Sequence, residues 1–198
     1  MVTLAGHPVG ERRLCEDCAV HREPQGTRPM IYFAYGSNLH PERLRRRVPS
    51  REALGTATLD GHTLTFTKRG ADGSGKCAIL PADDPQARVY GVLYRMAAEH
   101  RPSLDYAEGV HGGGYVAVTV EVMPLQGEAV DAFTYVPPDH FIDQALRPYD
   151  WYKAFVVHGA RHHALPAQWL SQLDAVAAMA DPDAQRAALN ARILAGLR

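Results

Sequence analysis

From Ile31 to Val136 this chain is a succession of short apolar or alternating runs broken by Gly, Pro and Asp, and from Asp139 onward the pattern turns helical. That ordering constrains the fold more than any single motif. The strict strand–helix alternation of a parallel nucleotide-binding sheet is absent. Strands come first, with helices inserted and then appended. The expected architecture is therefore α+β: a curved mixed β-sheet or small β-barrel with helices packed around it. A length of 198 residues is enough for one sizeable core and cramped for two.

The runs themselves read as follows. Ile31 to Tyr35 predicts a short buried strand closed by Gly36. Pro41 to Arg47 predicts a short helix, with Pro in the first turn and Arg in the last, both suited to the helix dipole. Thr56 to Thr67 reads as strand broken by Asp60-Gly61, a favoured hairpin turn. Cys77 to Pro81 and Arg88 to Tyr94 are β-rich and joined by Asp83-Asp84-Pro85. Met96 to Ala107 predicts a short helix ending at Gly109. Tyr115 to Met123 alternates Val with smaller or polar residues, which marks a half-exposed strand, and Ala129 to Val136 is its expected partner. Helices are expected over Phe141–Leu146, Trp151–His162, Pro166–Met179 and Ala184–Leu197.

Charge and cysteine usage narrow the functional classes. The formal net charge is -1, so no global field draws the chain to nucleic acid or to a membrane surface, and neither is expected as a partner. No apolar run approaches membrane-span length, and the start lacks the basic-then-apolar order of a signal peptide. The 3 cysteines argue against a disulfide scaffold and fit a reducing cytoplasm. Residues 1–29 differ from the rest: rich in Gly, Pro and charge, without periodicity, they read as a flexible N-terminal extension to a domain over residues 30–198. That extension carries Cys15 and Cys18 in C-x-x-C spacing, then His21, with His7 as a possible fourth ligand. A zinc site needs a second pair at recognisable spacing, and none follows, so no metal is assigned. Nothing in the sequence sets an oligomeric state.

Three motifs are decoys. Gly70 to Lys76 has P-loop spacing, but Cys77 stands where the magnesium-binding hydroxyl belongs, and the next residues are strand rather than helix. A surface hairpin is the better reading. His158 and His162 share a helix face, yet Gly159 occupies the general-base position of H-E-x-x-H. Ser37 follows a strand and a Gly, but the nucleophile elbow requires a second Gly where Leu39 stands. Ser37 is read as a binding residue.

Two stretches remain. In "MIYFAYGSNLHPERL" a strand ends in Gly-Ser-Asn aimed at a helix start, and such a loop offers consecutive backbone N–H groups to a carboxylate or phosphate. In "SLDYAEGVHGGGY" Asp105 and Glu108 lie one helical turn apart at the edge of a glycine-rich loop, with His111 just beyond. A partly buried carboxylate there can take and return a proton. On pattern alone it can equally be a solvated helix end with a glycine cap.

The blocks "YFAYGSNL" (Tyr32 to Leu39), "LDYAEGV" (Leu104 to Val110) with Tyr115 after it, and "YKAFVVHGARHHALP" (Tyr152 to Pro166) resemble the γ-glutamylcyclotransferase family, from about Met30 to about Leu173. The resemblance implies a mixed barrel-like fold and a cofactor-free, metal-free reaction. The α-amine of a γ-glutamyl group attacks its own γ-carbonyl, 5-oxoproline forms, and an amine or amino acid leaves. It further implies Glu108 as catalytic acid/base. Tyr32, Phe33, Ala34, Tyr35, Gly36 and Ser37 would form the substrate-binding block, Tyr152 a further substrate contact and Tyr115 a pocket wall. The expected partner is a small γ-glutamyl molecule. Asp105 is the weaker base candidate because it lacks an adjacent glycine. The leaving amine stays open, from an amino acid to a larger natural product carrying a γ-glutamyl protecting group. Two other classes stand beside the enzyme: a non-catalytic binder of small carboxylates on the same fold, and a metal-linked regulator using Cys15, Cys18 and His21.

Overall fold

A computed structural model describes residues 28–196. Five strands close into a mixed barrel in the order β1-β5-β2-β6-β7, which leaves that sheet without a free edge. β1 (Met30–Ala34) is buried at its C-terminal end. It pairs antiparallel with β5 (Arg88–Met96) and parallel with β7 (Val130–Val136). β2 (Glu52–Asp60) lies on the other side of β5, with an irregularity between Ala53 and Gly55, and meets β6 (Val116–Pro124) only near Ala57 and Thr58. β6 and β7 form the expected hairpin. β3 (His62–Arg69) and β4 (Gly75–Pro81) make a separate two-stranded ribbon.

Asp60-Gly61 does make a turn, with Gly61 at φ +67°, but the strands it joins do not pair with each other. The hairpin expectation is corrected. β2 buries its end in the barrel while β3 leaves for the ribbon, so Gly61 is a corner, tied by Gly61 N–H to Ala87 O and Ala82 N–H to Gly61 O. The P-loop look-alike is the β3–β4 turn, closed by Gly73 N–H to Gly70 O and by Asp72, which accepts from Ser74 and Lys76.

Five α-helices surround the barrel: α1 (Pro41–Arg47), α2 (Arg101–Ala107), α3 (Asp150–His162), α4 (Ala167–Ala175) and α5 (Ala184–Ala195). Phe141–Leu146 is no α-helix. A single 3-10 turn spans Asp139–Phe141, after which Ile142 bridges Lys68 and Asp143 N–H donates to Thr67 O, so the segment runs along β3 instead of coiling. α4 ends at Ala175, before the expected Met179. Lys153 Nζ caps the carbonyls of Asp174 and Val176, and Met179 is drawn into a bridge with Tyr149.

The core (Phe33, Leu39, Leu44, Val89, Val92, Leu104, Phe155, Val156) fills the barrel and the seam between α3 and the residues after β1. At that seam Gly159 lies flush on the backbone; a Cβ there would come 2.4 Å from Leu39 C and 2.6 Å from His40 N. His158 and His162 point outward, and His163 hydrogen-bonds Tyr94 Oη at 2.8 Å. Among the described residues no group of three or more His, Cys, Asp or Glu side chains is placed to hold a metal. No described helix is long and apolar enough to cross a membrane. Cys15, Cys18, His21 and His7, with nearly all of the 1–29 extension, lie outside the described residues.

Candidate active site

The site forms where β1 runs out. After Ala34 the chain turns through Gly36 into a 3-10 turn, Ser37–Leu39, whose N–H bonds begin at Leu39 (to Gly36 O) and His40 (to Ser37 O). The N–H groups of Ser37 and Asn38 precede the first donor of that turn, Leu39 N–H, and have no partner within it. Opposite, α2 ends at Ala107 and Glu108 caps it, because Gly109 takes the left-handed conformation (φ +69°) and breaks the helix. Folding brings these two chain ends together around a small niche lined by Tyr32, Tyr35, Gly36, Ser37, Asn38, Cys77, Glu108, Tyr115 and Tyr135.

Glu108 sits in this niche with its side chain 16% exposed. Its Oε1 accepts from Asn38 Nδ2 at 3.0 Å and from Arg47 Nη1 at 2.6 Å. Arg47 also donates to Asn38 Oδ1 at 2.8 Å, and Asn38 Nδ2 reaches Tyr32 Oη at 2.8 Å. Oε2 accepts no hydrogen bond from the described residues. The carboxylate is thus held by one oxygen and free at the other.

Asp105 is spent elsewhere. Arg101 Nε donates to it at 2.6 Å and Tyr135 Oη donates to the same oxygen, and Asp105 does not line the niche. His111 lies exposed on the 3-10 turn Val110–Gly112, outside the lining.

The walls are neutral hydroxyls. Burial pushes the phenols of Tyr32, Tyr35, Tyr115 and Tyr152 well above their ordinary range, so they stay protonated. Tyr115 Oη donates to Cys77 O at 2.7 Å, Tyr152 Oη accepts from Cys77 N–H at 3.0 Å, and Tyr35 Oη donates to Tyr135 O. β4 is thereby pinned against the niche at Cys77. Burial raises that thiol to about 12, which makes it wall material and a poor nucleophile. Ser37 Oγ accepts from Arg43 Nε at 3.1 Å, and no histidine lies within the lining to activate it.

Of the residues expected from sequence, Tyr32, Tyr35, Gly36, Ser37, Glu108 and Tyr115 meet at the niche. Tyr152 stands behind Cys77 and lines the adjoining bay. Phe33 and Ala34 are fully buried in the core and absent from the lining, so their part is to place the turn. Sequence reasoning passed over Asn38, Arg47, Cys77 and Tyr135. Asn38 lay inside a quoted block, and Arg47 was read only as a complement to the helix dipole.

Residues 88–173 match the family model described as the AIG2-like family. A mouse protein named gamma-glutamylcyclotransferase is 30% identical over 167 residues, covering 81% of this chain and 85% of the relative. The human protein of that name is 31% identical over 150 residues, covering 74% and 78%. The chain belongs to the γ-glutamylcyclotransferase family. A solved structure titled gamma-glutamyl cyclotransferase superposes with a TM-score of 0.73 at 26% identity, covering 83% of this chain and 99% of that one. The barrel with its surrounding helices is therefore the family's fold.

Proposed function

We propose that this chain is a γ-glutamylcyclotransferase: it releases an amine or amino acid from a γ-glutamyl compound while the glutamyl half closes to 5-oxoproline, with Glu108 as the general acid/base. The observation that carries this reading is the half-committed carboxylate of a residue that lines the niche: Oε1 fixed by Asn38 and Arg47, Oε2 without a hydrogen-bond partner among the described residues.

The reaction needs two proton movements and one ring closure. The α-amine is protonated in water and has to lose a proton before it attacks. Glu108 Oε2 accepts that proton. The amine nitrogen then bonds to the γ-carbonyl carbon, Glu108 passes that proton to the leaving nitrogen, and collapse of the tetrahedral intermediate breaks the bond to it; the second proton shed by the ring nitrogen goes to Glu108 and from there to the released amine. Attack is intramolecular, so a niche that holds the glutamyl chain folded removes much of the entropic barrier. The N–H groups of Ser37 and Asn38 suit the α-carboxylate, and the tyrosine hydroxyls provide neutral hydrogen-bonding walls that cannot compete as bases. A pure anion binder would gain nothing from a carboxylate in the niche, which favours the enzyme over the binding module.

The test is stoichiometric. Purified protein incubated with a panel of γ-glutamyl amino acids and amines should release 5-oxoproline and free amine in equal amounts. Free glutamate in place of 5-oxoproline would indicate hydrolysis by water and overturn the cyclisation.

A further inference from the structure

Glu108 and Tyr115 also line a second, larger space, a bay of about 580 Å³ that includes Lys68, Lys76, Phe141 and Tyr152. Resting on the reading above, the glutamyl half belongs in the niche. Whatever is attached at the γ-carbonyl must then lie in the bay.

Three cations line the bay, and they differ in how they are satisfied. Arg69 pairs with Asp143 at 2.8 Å, and Lys76 pairs with Asp72 at 2.7 Å. Lys68 is only 7% exposed, yet no ion pair or side-chain hydrogen bond to the described residues involves it. Its ammonium lies 4.7 Å from the centroid of Tyr115 and 5.1 Å from that of Phe141. Aromatic faces ease the burial of a cation but accept no directed hydrogen bond of ordinary strength, so the three N–H donors remain unspent. The ammonium also stands near the backbone at the end of α2: a Cβ placed on Gly114 would lie 3.6 Å from Lys68 Nζ and 3.4 Å from the backbone oxygen of Glu108. Burial lowers the pKa of Lys68, and the charges of Glu108 and Asp72 oppose that. The side chain is packed while Lys68 lines the bay, so an anion arriving there meets a cation held by no acidic contact among the described residues.

We propose that Lys68 is a specificity-determining residue that pairs with a carboxylate on the leaving half of the substrate. The preferred substrates are then γ-glutamyl conjugates whose released amine carries a carboxylate close to the scissile amide. Conjugates of uncharged amines forgo the pair, and conjugates of cationic amines bring like charge to the ammonium.

The experiment compares γ-glutamyl-alanine with γ-glutamyl-alaninamide, which differ only at the distal carboxylate. Wild-type protein should favour the acid by at least about tenfold in kcat/KM, the effect of roughly one charge-assisted pair. Lys68→Met should lower the acid-to-amide ratio about tenfold, and Lys68→Arg should restore part of it. A merely structural lysine would depress both substrates in proportion and leave the ratio unmoved. That outcome, or a wild type indifferent to the carboxylate, overturns the proposal. If neither compound yields 5-oxoproline, the catalytic reading fails, and calorimetric titration of the same two compounds decides Lys68 separately. Tighter binding of the acid in wild type but not in Lys68→Met supports it; equal binding or none overturns it.

Discussion

The niche and the bay share Glu108 and Tyr115 but treat their polar groups in opposite ways. Around the niche, Asn38, Arg47 and Tyr32 are locked to one another and to Glu108, and Cys77 is bonded on both sides of its backbone. In the bay, Lys68 is buried between two rings with its donors unspent, and the glycine-rich loop from Gly109 to Gly114 forms one wall. Prearranged groups suit a part of the substrate that never changes, and unspent groups suit a part to be recognised. The difference separates a chemical half from a selective half. It can be broken from either side.

The largest effect is expected at the shared residue. Glu108→Gln keeps the shape and removes the proton acceptor, so kcat should fall about 10²–10⁴-fold while a γ-glutamyl ligand still binds. Near-normal turnover would remove the base from the scheme. Next comes the support behind the niche. Gly159→Ala would force a Cβ into the backbone at Leu39 and His40 and should cost about 3 kcal/mol, the upper range for overpacking. Urea unfolding measures this, and an unchanged midpoint would mean that α3 does not brace the turn.

Arg47→Met tests orientation. The Glu108 carboxylate loses one of its two anchors, and kcat should drop roughly tenfold to a hundredfold with a much smaller change in KM. A change confined to KM would instead make Arg47 a substrate contact.

His40 gives a pH signature. It is fully buried, accepts from Arg43 N–H at 3.4 Å, and burial lowers its pKa from 6.5 to about 4. The folded state therefore binds fewer protons than the unfolded state between those values. The contribution is complete above pH 6.5 and is lost as pH falls toward 4. His163 shares the direction, chiefly through burial. Urea midpoints should decline across that interval in wild type and decline less in His40→Asn, which can keep the helix cap. Identical slopes would exclude His40 as a source. The smallest effect belongs to the bay's outer rim: Tyr106 is 80% exposed, and Tyr106→Ser should change stability by no more than about 0.5 kcal/mol.

Legibility followed the range of the interactions. α1 was readable because Pro41 and the terminal arginines mark its ends locally, and the end of α2 was readable because Gly109 is the residue a left-handed cap favours. β6 and β7 were readable from their alternation and a short connection. The failures were all cases where a distant partner outbid a local signal. Asp60-Gly61 has hairpin chemistry, but β5 claimed β2 and β4 claimed β3. Phe141–Leu146 has helical composition, but Thr67 and Lys68 offered it a strand edge.

The sequence by itself determined the α+β order, the turn after β1 and a carboxylate at the end of α2, because caps, turns and strand periodicity act within a few residues. Only the tertiary structure decided that Glu108 and not Asp105 lines the niche, that Arg47 and Asn38 hold it, and that Lys68 has no ion pair among the described residues. Those facts depend on groups 61 or 70 residues apart in the chain meeting in one small volume, and no local pattern encodes such a meeting.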